Sequence, residues 1–292
     1  MNGDLLFTDN EQFLVVLDSR NCTQYLNDSF NSKLFFDFEE PIYMPYDALK
    51  MTCSVLSFTC PNSLYNLNEN TSYLHLEYTN LEKTDIFINL TYGNYDANSF
   101  ITALKLAIYN QDKTFHTGFE IVLNETTNKF TLGHSTYSFS IMYDSSMYNI
   151  LGFEKNVTHI TGSTLPNSPY LYTLYSPFMC NFNGTQNINI HIENILTSNL
   201  DSHNNSFSSI ICSIPIDNNQ SQISYIKNND FCITIKDNVI DILKISFRDD
   251  LDNYVNFNNQ HWNLTLCFAL KRDISRFSHM QSFRNILSTN IF

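Results

Sequence analysis

Apolar positions along this chain recur mainly with a period of two, the spacing of strands that turn one face to a core. The clearest run is Trp262, Leu264, Leu266, Phe268 and Leu270, alternating with His261, Asn263, Thr265, Cys267 and Ala269. Ile188, Ile190 and Ile192 alternate with Asn187, Asn189 and His191. Ile210, Cys212, Ile214 and Ile216 make another such face, followed by Phe231, Ile233 and Ile235 and by Leu243, Ile245 and Phe247. Near the start, Phe13–Leu17, Leu34–Phe38 and Met51–Cys60 read as strands. The pattern is that of half-buried antiparallel strands.

The middle of the chain has a different rhythm. Leu74, Leu76 and Tyr78 form one alternating strand, and Ile86, Ile88, Leu90 and Tyr92 a second. Asp96 is placed to cap a helix in which Phe100, Leu104 and Ile108 recur at helical spacing to about Asn110. Phe119, Ile121 and Leu123, an Asn-rich turn, then Phe130 and Leu132 predict a hairpin. Tyr137, Phe139, Ile141 and Tyr143 alternate with serines, and a short helix over Ser145–Leu151 ends at Gly152, a suitable C-cap. Thr161–Pro169 has the composition of a linker.

Three strands precede this middle unit and five or six follow it. Neither flank is a complete sandwich, but together they supply about eight strands, the number in a jelly roll. The predicted fold class is therefore mainly β. A single eight-stranded jelly-roll β-sandwich is interrupted by an inserted small α/β domain. Residues 1–69 are the first part of the jelly roll, 70–168 the insertion, 169–272 the second part, and 273–292 a C-terminal tail. Two consecutive domains are the competing arrangement.

Composition narrows the class. Apolar residues make up 43% of 292, enough for a packed core, and aromatics make up 14%. A disordered chain would lack those aromatics. Charged residues are only 15%, and 39 Asn supply much of the polarity. A coiled coil would be rich in Ala, Glu, Lys and Leu instead. With 7 Gly, Asn is expected to take the turn positions that need positive φ. The longest clean apolar run, Phe13–Leu17, is far short of a membrane span. No signal-peptide pattern opens the sequence, so synthesis in a cytoplasm is expected.

The seven cysteines lack any C-x-x-C pair and read as reduced structural residues rather than zinc ligands. Ten N-x-S/T sequons occur, against about 7 expected by chance from 39 Asn and 53 Ser and Thr, so they are read as compositional. The histidines show no H-E-x-x-H, and His75 and His191 sit in polar phases of strands, where solvent-facing positions are expected. There is no G-x-S-x-G elbow, P-loop or G-x-G-x-x-G. Asp249, Asp250 and Asp252 lack the spacing of a calcium loop and read as a turn between strands. No catalytic, cofactor-binding or metal-binding residue is predicted, and no enzyme.

Charge singles out one candidate contact. A net charge of −13 disfavours nucleic-acid binding by the body of the protein. Lys271, Arg272, Arg276 and Arg284 oppose a single Asp273 in the last 22 residues, leaving a net +3. They form a candidate interface tail that could dock on an acidic neighbour or face a packaged genome.

Five segments, taken in order, carry a family resemblance. Ser54–Leu67 is an apolar strand running into Pro-Asn-Ser-Leu-Tyr-Asn, and Gly93–Leu104 is a tight turn opening a helix. Asn149–Phe153, Asn187–Ile192 and Trp262–Leu266 follow. This order, over most of residues 10–272, resembles the minor capsid, or penton, proteins of virophages and related large double-stranded DNA viruses. The resemblance implies a jelly roll with an inserted domain, forming homopentamers that close five-fold vertices of an icosahedral capsid. It implies contact with the major capsid protein and other minor virion proteins, residence in the virion, and no catalytic residues or cofactor. A carbohydrate- or receptor-binding β-sandwich is the alternative. It predicts exposed aromatics on a concave face, whereas Trp262 falls in the apolar phase of its strand.

Overall fold

The computed structural model of the chain describes residues 8–25, 30–46, 48–155, 160–164, 168–195, 199–201, 206–217, 220–228 and 231–273. The chain opens with β1 (Thr8–Asp18), β2 (Gln24–Tyr25), β3 (Lys33–Tyr43) and β4 (Ala48–Pro61). The middle contributes β5 (Tyr73–Asn80), β6 (Glu82–Asn89), α1 (Ala97–Gln111), α2 (Lys113–Gly118), β7 (Phe119–Asn124), β8 (Lys129–His134), β9 (Ser138–Ile141), α3 (Tyr148–Leu151), β10 (Ile160–Thr161) and β11 (Tyr172–Tyr175). It closes with β12 (Asn187–Ile192), β13 (Asn199–Asp201), β14 (Ser206–Ser208), β15 (Ile210–Pro215), β16 (Gln222–Ile226), β17 (Ile233–Ile235), β18 (Val239–Arg248) and β19 (Asn263–Asp273).

Two compact units result. The first joins residues 1–64 to 185–292, and the second is 65–184. In the first, one sheet has the order β1-β19-β4-β16, with β17 also on β4. The other has the order β15-β12-β18-β3-β2. Numbering the principal strands β1, β3, β4, β12, β15, β16, β18 and β19 from one to eight gives 1-8-3-6 and 2-7-4-5. That is the two-Greek-key order of a jelly roll, with every pairing antiparallel. The second unit lies in the chain between the third and fourth of these strands.

The inner faces of both sheets share one core. Trp262, Leu264, Leu266 and Phe268 are fully buried in it, as are Ile188, Ile190, Ile192, Leu243, Ile245 and Phe247. Phe36, Phe58 and Phe247 surround the Trp262 ring at centroid distances of 6.0, 6.5 and 4.7 Å. The indole N–H donates to Asn31 O at 2.8 Å, so the polar edge of the largest core side chain is satisfied. The alternation predicted for these strands is thus observed, while two neighbouring predictions differ: Phe231, expected on one face with Ile233 and Ile235, precedes β17 and is 60% exposed, and β15 changes phase. A bulge between Ile190 and His191 shifts the register against β15. It turns Ile211 rather than Ile210 inward, and it buries His191 to 4% exposure. His191 was expected to face solvent; its Nδ1 instead meets Ser209 Oγ at 2.9 Å.

Turn chemistry follows the composition. Six described non-glycine residues have positive φ, and four are asparagines: Asn31, Asn128, Asn258 and Asn259. Asp252 is a fifth, in the predicted Asp249–Asp252 turn, where Asp249 Oδ1 accepts from the Leu251 and Asn253 amides at 2.9 Å.

The second unit has its own core, built from the sheets β10-β9-β5-β6 and β11-β8-β7. Asp96 caps α1 through a 2.7 Å bond from Ser99 N, and Phe100, Leu104 and Ile108 are its buried stripe. Gly152 ends α3 at φ +76°, as its position predicted. The unit reaches beyond the 70–168 segment expected from sequence. Thr161, in the segment read as a linker, pairs with Ser140, and Tyr172–Tyr175 pairs with Thr131–His134, so both are strand residues.

Candidate functional site

The outer face of the β1-β19-β4-β16 sheet is the most distinctive surface of the first unit. Cross-strand pairing sets Val16 beside Thr265 and Thr265 beside Ser57, then Leu14 beside Cys267 and Cys267 beside Ser54. Gln12 lies beside Ala269 and Ala269 beside Thr52, with Ser57 next to Ile226 and Thr52 next to Thr234. Their neighbours along each strand, such as Leu17, Leu266 and Phe268, point to the core, so these point away from it.

None of these central outward residues is charged, although the chain carries 16 basic and 29 acidic residues; charge enters this phase only at its ends, at Asp18 on β1 and at the Lys271–Lys50 pair. Most are small, which makes the face flat. Leu14, Val16 and Ile226 stand out from it at 57%, 69% and 76% exposure. β1 ends the strand order and is 11 residues long, so one long edge has no strand partner among the described residues.

The candidate tail residues divide. Lys271 and Arg272 lie on β19, because the β1–β19 ladder continues to the Thr8–Asp273 pair. They are therefore strand residues of the jelly roll and not part of a tail. Arg272 Nη2 meets Glu11 Oε2 at 2.5 Å across the ladder. Arg276 and Arg284 lie outside the described residues.

Charged groups elsewhere serve the fold. Glu193 accepts from Lys33 at 2.7 Å, Ser246 at 2.9 Å and Arg248 at 3.2 Å, tying β3 and β18 to the end of β12. Burial alone would raise the Glu193 carboxyl, but the Lys33 and Ser246 bonds outweigh it and hold it below its ordinary value. In the second unit, His75 lies between Asp144, at 2.8 Å from Nδ1, and Asp85, at 2.9 Å from Nε2, with its ring on Phe87. It was expected to face solvent, yet its side chain is 13% exposed. Among the described residues no three His, Cys, Asp or Glu side chains gather in a metal-binding group, and no described helix is long and apolar enough to cross a membrane. The seven thiols are free, and burial pushes that of Cys60 up to about 12.

The five segments that carry the family resemblance fall at structural junctions. Ser54–Leu67 is the second half of β4 and its run into the second unit. Gly93–Leu104 holds the Asp96 cap and the first half of α1, and Asn149–Phe153 ends α3 at Gly152. Asn187–Ile192 is β12, which resumes the jelly roll, and Trp262–Leu266 starts the strand that carries the core tryptophan. The uncharged face was hidden from sequence reading, since its residues come from five separate strands. Its trace in the sequence is the neutral phase Thr265, Cys267 and Ala269.

No known protein family matches the chain, and no curated protein does. Among solved structures the chain is similar to the mavirus penton protein, at 12% identity over 90% of this chain and 100% of that one, with a TM-score of 0.47.

Proposed function

We propose that this chain is a structural capsid protein. It acts as a penton whose homopentamers close the five-fold vertices of an icosahedral virion and contact the surrounding major capsid protein. The order of the five sequence segments supports this reading, and one observation carries it: a strongly acidic jelly roll keeps a flat outer sheet face whose central rows carry no charge.

Copies that each carry −13 repel one another, and a carboxylate trapped unpaired in an interface costs several kcal/mol. A neutral face avoids both penalties. Leu14, Val16 and Ile226 supply apolar area, and the Ser and Thr rows supply polar contacts of the kind found in interfaces. A closed ring uses heterologous contacts, so this face meets a different surface of the next copy.

The second unit, an inserted α/β domain in this reading, is free to serve host attachment. Lys271, Arg272, Arg276 and Arg284 offer positive charge to an acidic neighbour or to packaged nucleic acid. Other minor virion proteins are further partners. The protein is made in the host cytoplasm and resides in the virion, with no cofactor and no catalytic role.

Light scattering and negative-stain microscopy of the purified chain test the proposal, alone and mixed with a major capsid protein from the same virion. Five-membered rings are expected in at least one condition. A monomer in both overturns the reading.

A further inference from the structure

The second unit holds a cleft of about 510 Å³ between α2 and the turn that follows β8. Its lining includes Thr114, Thr117, Ser135, Thr136, Tyr137 and Lys113. The Lys113 ammonium rests 5.2 Å over the neighbouring Tyr109 ring, and the Thr117 hydroxyl donates to Lys113 O at 2.8 Å, so a ligand would draw the flexible ammonium inward and meet the Thr117 oxygen as an acceptor. The volume lies within the range of small-ligand sites, about 300–1,000 Å³. Apart from the buried His134 imidazole, Lys113 is the one acidic or basic residue of the lining, in a chain with 29 Asp and Glu.

The floor is set before any ligand arrives. His134 is 1% exposed and both ring nitrogens are committed. Nε2–H donates to Phe115 O at 2.9 Å, and Nδ1 accepts from Thr136 N at 3.0 Å and Tyr137 N at 2.9 Å. Those bonds fix the 135–137 turn against α2. Gly118 allows the approach: a Cβ there would sit 2.6 Å from His134 Cε1 and from Ser135 Oγ. Rigid walls reduce the ordering cost of binding.

We infer that this cleft binds the terminal ring of an acidic saccharide. Hydroxyls both donate and accept, which suits a ring bearing several hydroxyls. An aromatic ring offers apolar contact to its C–H face. The lone ammonium, with no carboxylate in the lining, selects a carboxylate or sulfate substituent. The inference rests on the attachment role proposed above for the second unit.

Calorimetry of the full chain with three probes tests it: 3′-sialyllactose, a sulfated heparin disaccharide, and lactose. One acidic probe is expected to bind at least about tenfold more tightly than lactose, and which one identifies the source of the acid. The exposed variant Lys113→Ala is expected to remove that preference, and Thr117→Val to weaken binding of the acidic probe, with unchanged far-ultraviolet circular dichroism. No binding by either acidic probe at millimolar concentration, equal binding of lactose, or acidic-sugar binding untouched by Lys113→Ala overturns it. Light scattering on the same samples keeps the two readings apart. A monomer that binds the acidic sugar refutes the capsid role alone, and a pentamer that binds none refutes this site alone.

Discussion

Ser19 and Trp262 are 243 residues apart in sequence and hold each other by two hydrogen bonds. Trp262 N donates to Ser19 Oγ at 3.1 Å, and Ser19 N donates to Trp262 O at 3.0 Å. The pair closes the end of the β1–β19 ladder at the point where the indole enters the core. Trp262→Ala is expected to destabilise the chain by about 3–5 kcal/mol, through lost burial and the cavity left behind. Ser19→Ala leaves a buried N–H with one partner fewer, at about 1–3 kcal/mol. Urea unfolding followed by circular dichroism measures both, and a cost below 1 kcal/mol for Trp262→Ala would contradict the packing described.

The buried imidazole of His134 makes the second unit sensitive to acid. Desolvation lowers its pKa below the ordinary 6.5, outweighing the opposing bond to Phe115 O. A proton on Nδ1 would also point at the Thr136 and Tyr137 amides that now donate to it. The unfolded chain therefore binds this proton more readily. The stabilisation from neutral His134 is complete above pH 6.5 and falls away as pH drops below it. Denaturant midpoints at pH 7.5 and 5.5 should show the loss, and His134→Gln should start less stable with a shallower pH slope over that window.

At Gly152 two constraints coincide. Its φ is +76°, and a Cβ would lie 2.3 Å from Phe178 O, a backbone atom that cannot swing aside. Gly152→Ala should lower stability by about 1–3 kcal/mol from backbone strain, with the contact adding to it. Gly162, with ordinary φ and a nearest neighbour at 3.3 Å in the Phe139 ring, is the control. Thermal melts should show a clearly larger drop for Gly152→Ala than for Gly162→Ala.

The uncharged sheet face can be separated from folding by placing a charge on it. Val16 is 69% exposed and sits on the outward phase of β1, beside Thr265. Val16→Glu is expected to change stability by no more than about 0.5 kcal/mol. If the face joins copies of the chain, the same change should shift light-scattering mass toward the monomer. Unaltered assembly would place the contacts on another surface.

Much of this architecture was legible in the sequence because it is set by local periodicity. Leu264, Leu266 and Phe268 alternate without a break, and the Asp96 cap and Gly152 stop are marked by single residues with specific backbone preferences. What stayed hidden depends on distant partners. The bulge at His191 exists only relative to β15, so the neutral-looking phase of β12 concealed a buried histidine. The six-residue α2 is too short to show a period. Tyr172–Tyr175 belongs to the second unit by its pairing with β8, which nothing in its own four residues announces. The acidic-sugar cleft likewise joins α2 to a turn some 20 residues later, and the outer sheet face joins strands from both ends of the chain.

Asn66 gives the second unit a property of its own. Its Nδ2 donates to Tyr95 O and to Phe182 O, both at 2.8 Å, while its Oδ1 accepts from Tyr95 N at 2.9 Å. The incoming and outgoing ends of residues 65–184 are thus stapled by one amide, with Gly184 close enough that a Cβ would stand 3.1 Å from Asn66 Cα. Once this unit has folded, the link from β4 to β12 closes like a loop of a few residues. The entropic cost of closure grows with the logarithm of loop length, so the saving is about 2–3 kcal/mol. The sandwich can therefore carry a passenger of any length at this point, provided the passenger brings its own ends together.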